Sequence, residues 1–342
     1  MKQARNSVSQ LSCPGQNRLR CQIDGREVES ASQVLAVGEV GPADTAPALI
    51  EKTPSTREDE MTTVFTARPE HGLVWITGAS SGIGRAVALR LVEEGYSVVV
   101  TARSHDKLVA LQYEVTGPGK IVVLDGDVTD PRDMDRLVAA IEYEHGQVAL
   151  AILNAGVVIP VRGDDLHRED FDKTLAVNLH GVVNCLIPVV EHMKAKGHGQ
   201  IAIMSSAAGY GGVPMNAAYG ASKAALINMA ESLKFDLDRI GIRLQLICPG
   251  FVDTERAAKS GISRPALVSV EEAAEQISLG LKSSRFEITF PKRFTYVVKL
   301  LQLLPYSAYF ALLNWLVPWR DVVAAAPKNK QSGSDGQSRQ AV

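Results

Sequence analysis

Seven short apolar runs mark out the middle of this chain, at residues 73–77, 96–101, 120–124, 148–153, 199–205, 242–248 and 286–290. Runs of four to eight apolar residues, bounded by turn residues, read as buried strands. Helical patterns lie between them. One runs from Arg85 and is closed by Gly95, and two longer ones cover about 178–196 and 216–239. Ser269-Val270-Glu271-Glu272 is a capping-box start for the helix before the last strand. Strands alternating with helices predict an α/β fold, a doubly wound parallel sheet.

The two ends of the chain break this pattern in opposite ways. Residues 1–60 contain no Phe, Trp or Tyr and are interrupted by Pro14, Pro42, Pro47 and Pro54. So little apolar surface cannot offset the entropy of ordering, which predicts a disordered extension. It has no apolar core of the signal-peptide kind, and Pro14-Gly15 interrupts the basic stretch 1–23. The expectation is that natural translation starts at Met61, so that peptide mapping of native protein begins there or later. One folded domain is expected over 61–291. Residues 292–320 are strongly apolar, with Pro305 between two predicted helices, the first over Phe294–Leu304. Residues 321–342 read as a solvated tail.

The apolar stretch allows three arrangements. Its helices can pack over a cleft or a partner subunit. They can also lie in a membrane interface, with Lys292, Arg293, Lys299 and Arg320 near headgroups and Trp315 and Trp319 at the boundary. A spanning helix needs about 20 mostly apolar residues, and Pro305 and Asn314 spoil that third arrangement.

Composition narrows the function classes. The chain has 342 residues, 46% of them hydrophobic, and a net charge of −2. That permits a substantial core and gives no basic surface for nucleic acid. Its four cysteines (Cys13, Cys21, Cys185, Cys248) and seven histidines show no metal-binding spacing. Cys185 and Cys248 sit in apolar runs and read as small buried hydrophobes of a reducing, cytoplasmic compartment.

Two features carry chemistry. Thr77-Gly78-Ala79-Ser80-Ser81-Gly82-Ile83-Gly84 joins the first strand to a helix. A glycine turn there lets backbone approach a pyrophosphate while the helix N-terminus offers it N–H groups. Far downstream, Tyr219 and Lys223 stand four apart, on one helix face. A free phenol has a pKa near ~10, and a neighbouring ammonium lowers it toward use as a general acid or base.

In this order, the two features resemble the short-chain dehydrogenase/reductase family, with its Thr-Gly-x-x-x-Gly-x-Gly and Tyr-x-x-x-Lys motifs and Rossmann-type fold. The resemblance runs from about Leu73 to Pro291. Several intermediate stretches match: Asp127-Val128, Asn154-Ala155-Gly156, Asn178 in Val177-Asn178-Leu179, Ser205-Ser206, and Pro249-Gly250-Phe251-Val252-Asp253-Thr254.

The resemblance implies hydride transfer between a nicotinamide and a small-molecule carbonyl or alcohol. Ser206, thirteen positions before Tyr219, takes the catalytic serine's place, leaving Ser205 a strand-end hydroxyl. Tyr219 is then the proton donor, and Lys223 holds the nicotinamide ribose and lowers the Tyr219 pKa. Asn178 positions a water that links Lys223 to solvent. The implied cofactor-binding set is Gly78, Ser80, Ser81, Gly82, Ile83, Gly84, Arg103, Asp127, Val128, Asn154, Ala155, Gly156, Tyr219, Lys223, Pro249, Gly250, Val252 and Thr254, with no metal. The family also implies a homo-oligomer paired through the two long helices.

The end of the second strand selects the nicotinamide. NAD-preferring enzymes place a carboxylate there for the ribose 2′-hydroxyl. This chain has Thr101-Ala102-Arg103-Ser104, whose guanidinium suits a 2′-phosphate. Ser81 stands where many NADP-preferring relatives carry a second basic residue. The reading is NADP(H) over NAD(H), with a hydrophobic substrate. An NAD-dependent alcohol dehydrogenase and a non-catalytic cofactor-binding scaffold are the alternatives.

Overall fold

The computed structural model describes residues 22–23, 26–27, 64–254 and 266–316. The chain divides into two units, Met1–Glu60 and Met61–Val342. In the first, Gln22–Ile23 pairs antiparallel with Arg26–Glu27. The disorder expected over 1–60 otherwise concerns residues outside those described, as does the solvated tail at 321–342.

In the second unit the apolar runs become seven strands: β1 (Leu73–Thr77), β2 (Ser97–Thr101), β3 (Lys120–Val123), β4 (Val148–Leu153), β5 (Gly199–Met204), β6 (Ile242–Pro249) and β7 (Glu287–Phe290). All pair in parallel, in the order β3-β2-β1-β4-β5-β6-β7. The helices between them are α1 (Gly82–Glu93), α2 (His105–Tyr113), α3 (Pro131–Ala140), α4 (Arg168–Leu175), α5 (Gly181–Lys196), α6 (Ala217–Arg239) and α7 (Val270–Lys282).

Alternation within buried strands decides which helix each side chain meets. Val74 and Ile76 of β1, with Val98 and Val100 of β2, face α1, α2 and α7 through Leu91, Leu108 and Ile277. Trp75 and Val99 point the other way, toward Met134 of α3, Val189 of α5 and Leu226 of α6. Three layers result, with a core on each side of the sheet. The buried Trp75 indole donates to Thr101 Oγ1 at 2.9 Å, so the largest core side chain leaves no polar atom unmet.

Local signals set the helix ends. Asp130 caps α3 by accepting from the backbone of Arg132 and Asp133, ahead of Pro131. Ser269 Oγ accepts from Glu272 N at 3.1 Å, which is the forward half of the expected capping box. The helix expected at 178–196 is the later part of one helical segment that starts at Arg168. Residues Ala176–His180 form a π turn joining α4 to α5, with buried Asn178 at its centre. π turns of this kind cluster at functional sites.

The strand order reverses between β1 and β4, whose neighbours run outward in opposite directions. That opens a crevice at the carboxyl ends of the strands, where open α/β sheets bind ligands. Beyond β7 the apolar stretch forms α8 (Lys292–Leu301) and α9 (Tyr306–Leu316), with Pro305 in the break as expected.

Candidate active site

The crevice is a continuous cleft of about 1870 Å³. Its floor is the turn between β1 and α1. Gly78 has φ +69°, and a Cβ there would lie 2.7 Å from Ala155 Cα, so only glycine fits. Ser81, extended before α1, gives no side-chain cap, and the first turn of the helix holds no acidic residue. The N–H groups of that turn therefore face the cleft with their partial positive charge uncompensated by a side chain. Asn154 fastens the turn to β4. Its Nδ2 donates to Thr77 O (3.0 Å) and Gly78 O (3.1 Å), while Thr77 Oγ1 accepts from the backbone of Asn154 and Ala155.

The residues expected to react stand on the opposite wall. Ser206 and Tyr219 line this wall together, and the Ser206 hydroxyl acts on the Tyr219 phenol. Ser206 precedes a short turn, and its Oγ accepts from Ala208 N at 3.2 Å. Ser205 points away from the cleft and donates to Lys223 O at 2.9 Å, the strand-end role expected of it. Lys223 is almost wholly buried, and its Nζ donates to Met204 O at 2.8 Å.

Burial dominates the acid–base balance. It pushes the Tyr219 phenol up, with the Ser206 hydroxyl pulling the other way. It pulls the Lys223 ammonium down to about 8. The expected lowering of the Tyr219 pKa by Lys223 is not seen. Lys223 Nζ lies 5.7 Å from the Tyr219 ring centroid and spends a hydrogen bond on Met204 O, so desolvation wins.

Of the expected site residues, all but Asn178 line this one cleft. Asn178 lies behind the wall. Its amide donates to Val157 O (2.9 Å) and Ser222 Oγ (3.1 Å), and its Oδ1 accepts from Val157 N (2.7 Å). The side chain thus holds the strand-end loop after β4. Lys223 Nζ and Asn178 Oδ1 both approach Gly156, at 3.6 and 3.3 Å from where a Cβ would be.

Toward the far end of the cleft, Asp127 folds its own turn by accepting from Thr129 N and Oγ1. Arg103 is exposed at the end of β2, and Lys107 of α2 lines the same corner. Lys107 was not expected from the sequence, since Arg103 precedes α2 and the two share no helix face. The lid region after Thr254 falls at 255–265, outside the described residues.

The tail supplies walls that motif reading did not assign. Phe294 of α8 packs on Phe251 with ring centroids 5.6 Å apart, and Val298, Leu301, Tyr309 and Leu313 also border the cleft. Of the three arrangements, the helices thus adopt packing over the cleft. Trp319 and Arg320 lie outside the described residues. The two described cysteines are buried as expected, and burial raises both thiols, Cys248 to about 12.

Among the described residues one segment, Arg168–Lys196, is long and apolar enough to cross a membrane. Nearly half of it is buried in this fold, where α5 packs on the sheet.

Comparison with known proteins agrees with the geometry. Residues 72–264 match the short chain dehydrogenase family model. An uncharacterized oxidoreductase of Myxococcus xanthus is 33% identical over 231 residues, covering 67% of this chain and 91% of that protein. A 3-oxoacyl-acyl-carrier-protein reductase of Thermotoga maritima is 33% identical over 205 residues, 58% of this chain and 83% of that one. Among solved structures, an alcohol dehydrogenase from Thermococcus sibiricus complexed with 5-hydroxy-NADP superposes with a TM-score of 0.58. It is 26% identical and covers 64% of this chain and 95% of its own. A cleft built this way, on a sheet of this order, in a chain matched over this span, belongs to the short-chain dehydrogenase family, oxidoreductases that act on CH–OH and C=O carbons with a nicotinamide cofactor.

Proposed function

We propose that this protein reduces a lipophilic small-molecule carbonyl compound with NADPH. The observation that carries the reading is the convergence of Tyr219 and Ser206, beside buried Lys223, on one cleft that faces the glycine turn. When bound, the nicotinamide supplies the hydride. Ser206 orients the carbonyl oxygen, and Tyr219 gives its proton to that oxygen as charge builds there. A phenol whose pKa burial raises keeps its proton at neutral pH, which suits an acid working in the reducing direction. Lys223, charged below about pH 8, would hold the nicotinamide ribose. Asn178 acts by setting the loop beside Lys223. The uncapped N-terminus of α1, over Ser81, Gly82, Ile83 and Gly84, takes the pyrophosphate.

Three features support the finer choices. Arg103 and Lys107 form a cationic corner with no carboxylate at the end of β2, which fits a 2′-phosphate. The Thermococcus sibiricus enzyme, complexed with an NADP analogue, supports the same choice. On the substrate side, Val213, Pro214, Met215, Phe251, Phe294 and Leu301 form an apolar wall. The outer faces of α8 and α9 expose Tyr296, Leu300, Leu303, Tyr306, Phe310 and Trp315, with Lys292 and Arg293 at the near end and no acidic residue over 292–316. Such a surface fits peripheral contact with an anionic membrane holding the substrate. Pairing of subunits through α5 and α6 agrees with exposed Ile187 and Phe235 on those helices.

A panel of aliphatic, aromatic and sterol ketones, with NADPH oxidation followed optically, tests the reading. Turnover of at least one ketone that disappears in Tyr219→Phe supports it. A Tyr219→Phe enzyme as active as the parent would refute it.

A further inference from the structure

The two reacting hydroxyls sit at the ends of one stretch of chain, Ser206 to Tyr219, and the C-terminal helices grip the middle of that stretch. Three contacts make the grip. Tyr210, whose N–H closes the turn after Ser206 by donating to Ala207 O at 3.2 Å, donates its phenol to Glu287 Oε1 at 2.6 Å. Glu287 is also ion-paired with Lys299 of α8, whose Nζ lies 4.7 Å from the Tyr210 ring centroid. The Gln302 carboxamide occupies the space over Gly211, where a Cβ would collide with it. Tyr309, the buried aromatic of the otherwise exposed α9, donates its phenol to Gly212 O at 2.9 Å.

We propose that Lys299, Gln302 and Tyr309 are positioning residues that clamp residues 210–212 and so set the Ser206 and Tyr219 hydroxyls in register. The inference rests on the assignment of those two hydroxyls as the reacting groups. The clamp has a physical reason. Residues 205–216 contain no strand, only the short turn Ala207–Gly209 and a second turn at 214–215, so their own backbone supplies few of the bonds that hold them. Met215 lies at φ +65°, an unfavourable region for a side chain, and Val161 N donates to its carbonyl at 2.8 Å on the far side. The segment is thus held from both flanks, and the tail forms one of them. The same helices whose inner face borders the substrate cleft also hold the catalytic turn.

The test uses the full-length protein and the variants Lys299→Met, Lys299→Arg and Tyr309→Phe. Amide hydrogen exchange over 206–212 should quicken about tenfold in Lys299→Met and Tyr309→Phe, and return toward the parent rate in Lys299→Arg. Exchange over 73–84, and NADPH affinity followed by nucleotide fluorescence, should stay within about twofold. On a ketone whose turnover Tyr219→Phe abolishes, kcat should drop about tenfold in Lys299→Met with KM for NADPH unchanged. Unaltered exchange over 206–212, equal loosening of 73–84, or parental kcat in Lys299→Met would each overturn the clamp. Because exchange involves no turnover, the clamp can fail while Tyr219→Phe still upholds the site, and the reverse.

Discussion

The two walls of the cleft are held by different means. The glycine turn is pinned through backbone groups, with Asn154 and Thr77 binding main-chain atoms between β1 and β4, over a sheet buried on both faces. The wall formed by α8 and α9 rests on side chains: a phenol to a carboxylate, an ammonium to the same carboxylate, and a phenol to one carbonyl. The first wall can tolerate little change in shape, while the second depends on which side chains the tail supplies. Rigid cofactor geometry beside an adaptable substrate surface is what a fold serving many substrates requires.

If the walls divide labour in this way, removing the acid should cost most. Tyr219→Phe should lower kcat by about 10²–10⁴-fold, the usual range for a positioned proton donor, with NADPH affinity kept. Single-turnover kinetics with bound NADPH measures it. Asn154→Ala strikes the backbone-pinned wall. It frees the carbonyls of Thr77 and Gly78 and should destabilise the fold by about 1–3 kcal/mol, read as a lower Tm and weaker nucleotide binding. The same loss in a tail variant would erase the contrast between the walls.

Smaller effects sharpen the contrast. Lys223 is charged below its pKa of about 8 and neutral above it. Reductive kcat should therefore decline roughly tenfold between about pH 7 and pH 9, as the charged fraction falls. A rate that climbs over that window would show that the ammonium is not needed. Arg103→Ala should weaken NADPH binding about tenfold while NADH binding stays level, as titration of each nucleotide would reveal. The least effect is expected at the outer tail. Leu300→Gln with Trp315→Ser should reduce flotation with phosphatidylserine vesicles by a few-fold and leave kcat on a soluble ketone alone. Unchanged flotation would remove the membrane from the account.

Much of the fold was legible because it rests on local rules. The seven apolar runs match the strands to within about one residue, since a strand buried on both faces is mostly apolar, the buried Gln200, Arg243 and Gln245 being hydrogen-bonded. Gly78 and Gly82 were readable because a turn at positive φ admits few other residues. Tyr219 and Lys223 were readable as one helix face, and Ser206 only through the family resemblance; all three line one cleft. Three features could not be read that way. The π turn around Asn178 depends on where Val157 and Ser222 come to lie, far away in the chain. The Lys223 Nζ turns to Met204 O, and the raised Tyr219 pKa follows from burial that no motif encodes. Lys107 joins Arg103 only because α2 starts at the rim of the cleft.

Pattern and spacing were enough for the sheet, the glycine turn and the helix face shared by Tyr219 and Lys223, because period, glycine and helix geometry act over a few residues. The tail was different. Its sequence shows two apolar helices and nothing about where they go, since an apolar face suits a cleft, a subunit or a bilayer equally well. Packing against residues about ninety positions earlier, Tyr309 on Gly212 and Lys299 beside Tyr210, decided that one face closes the cleft and the other meets solvent. Contacts that distant depend on the whole fold having assembled.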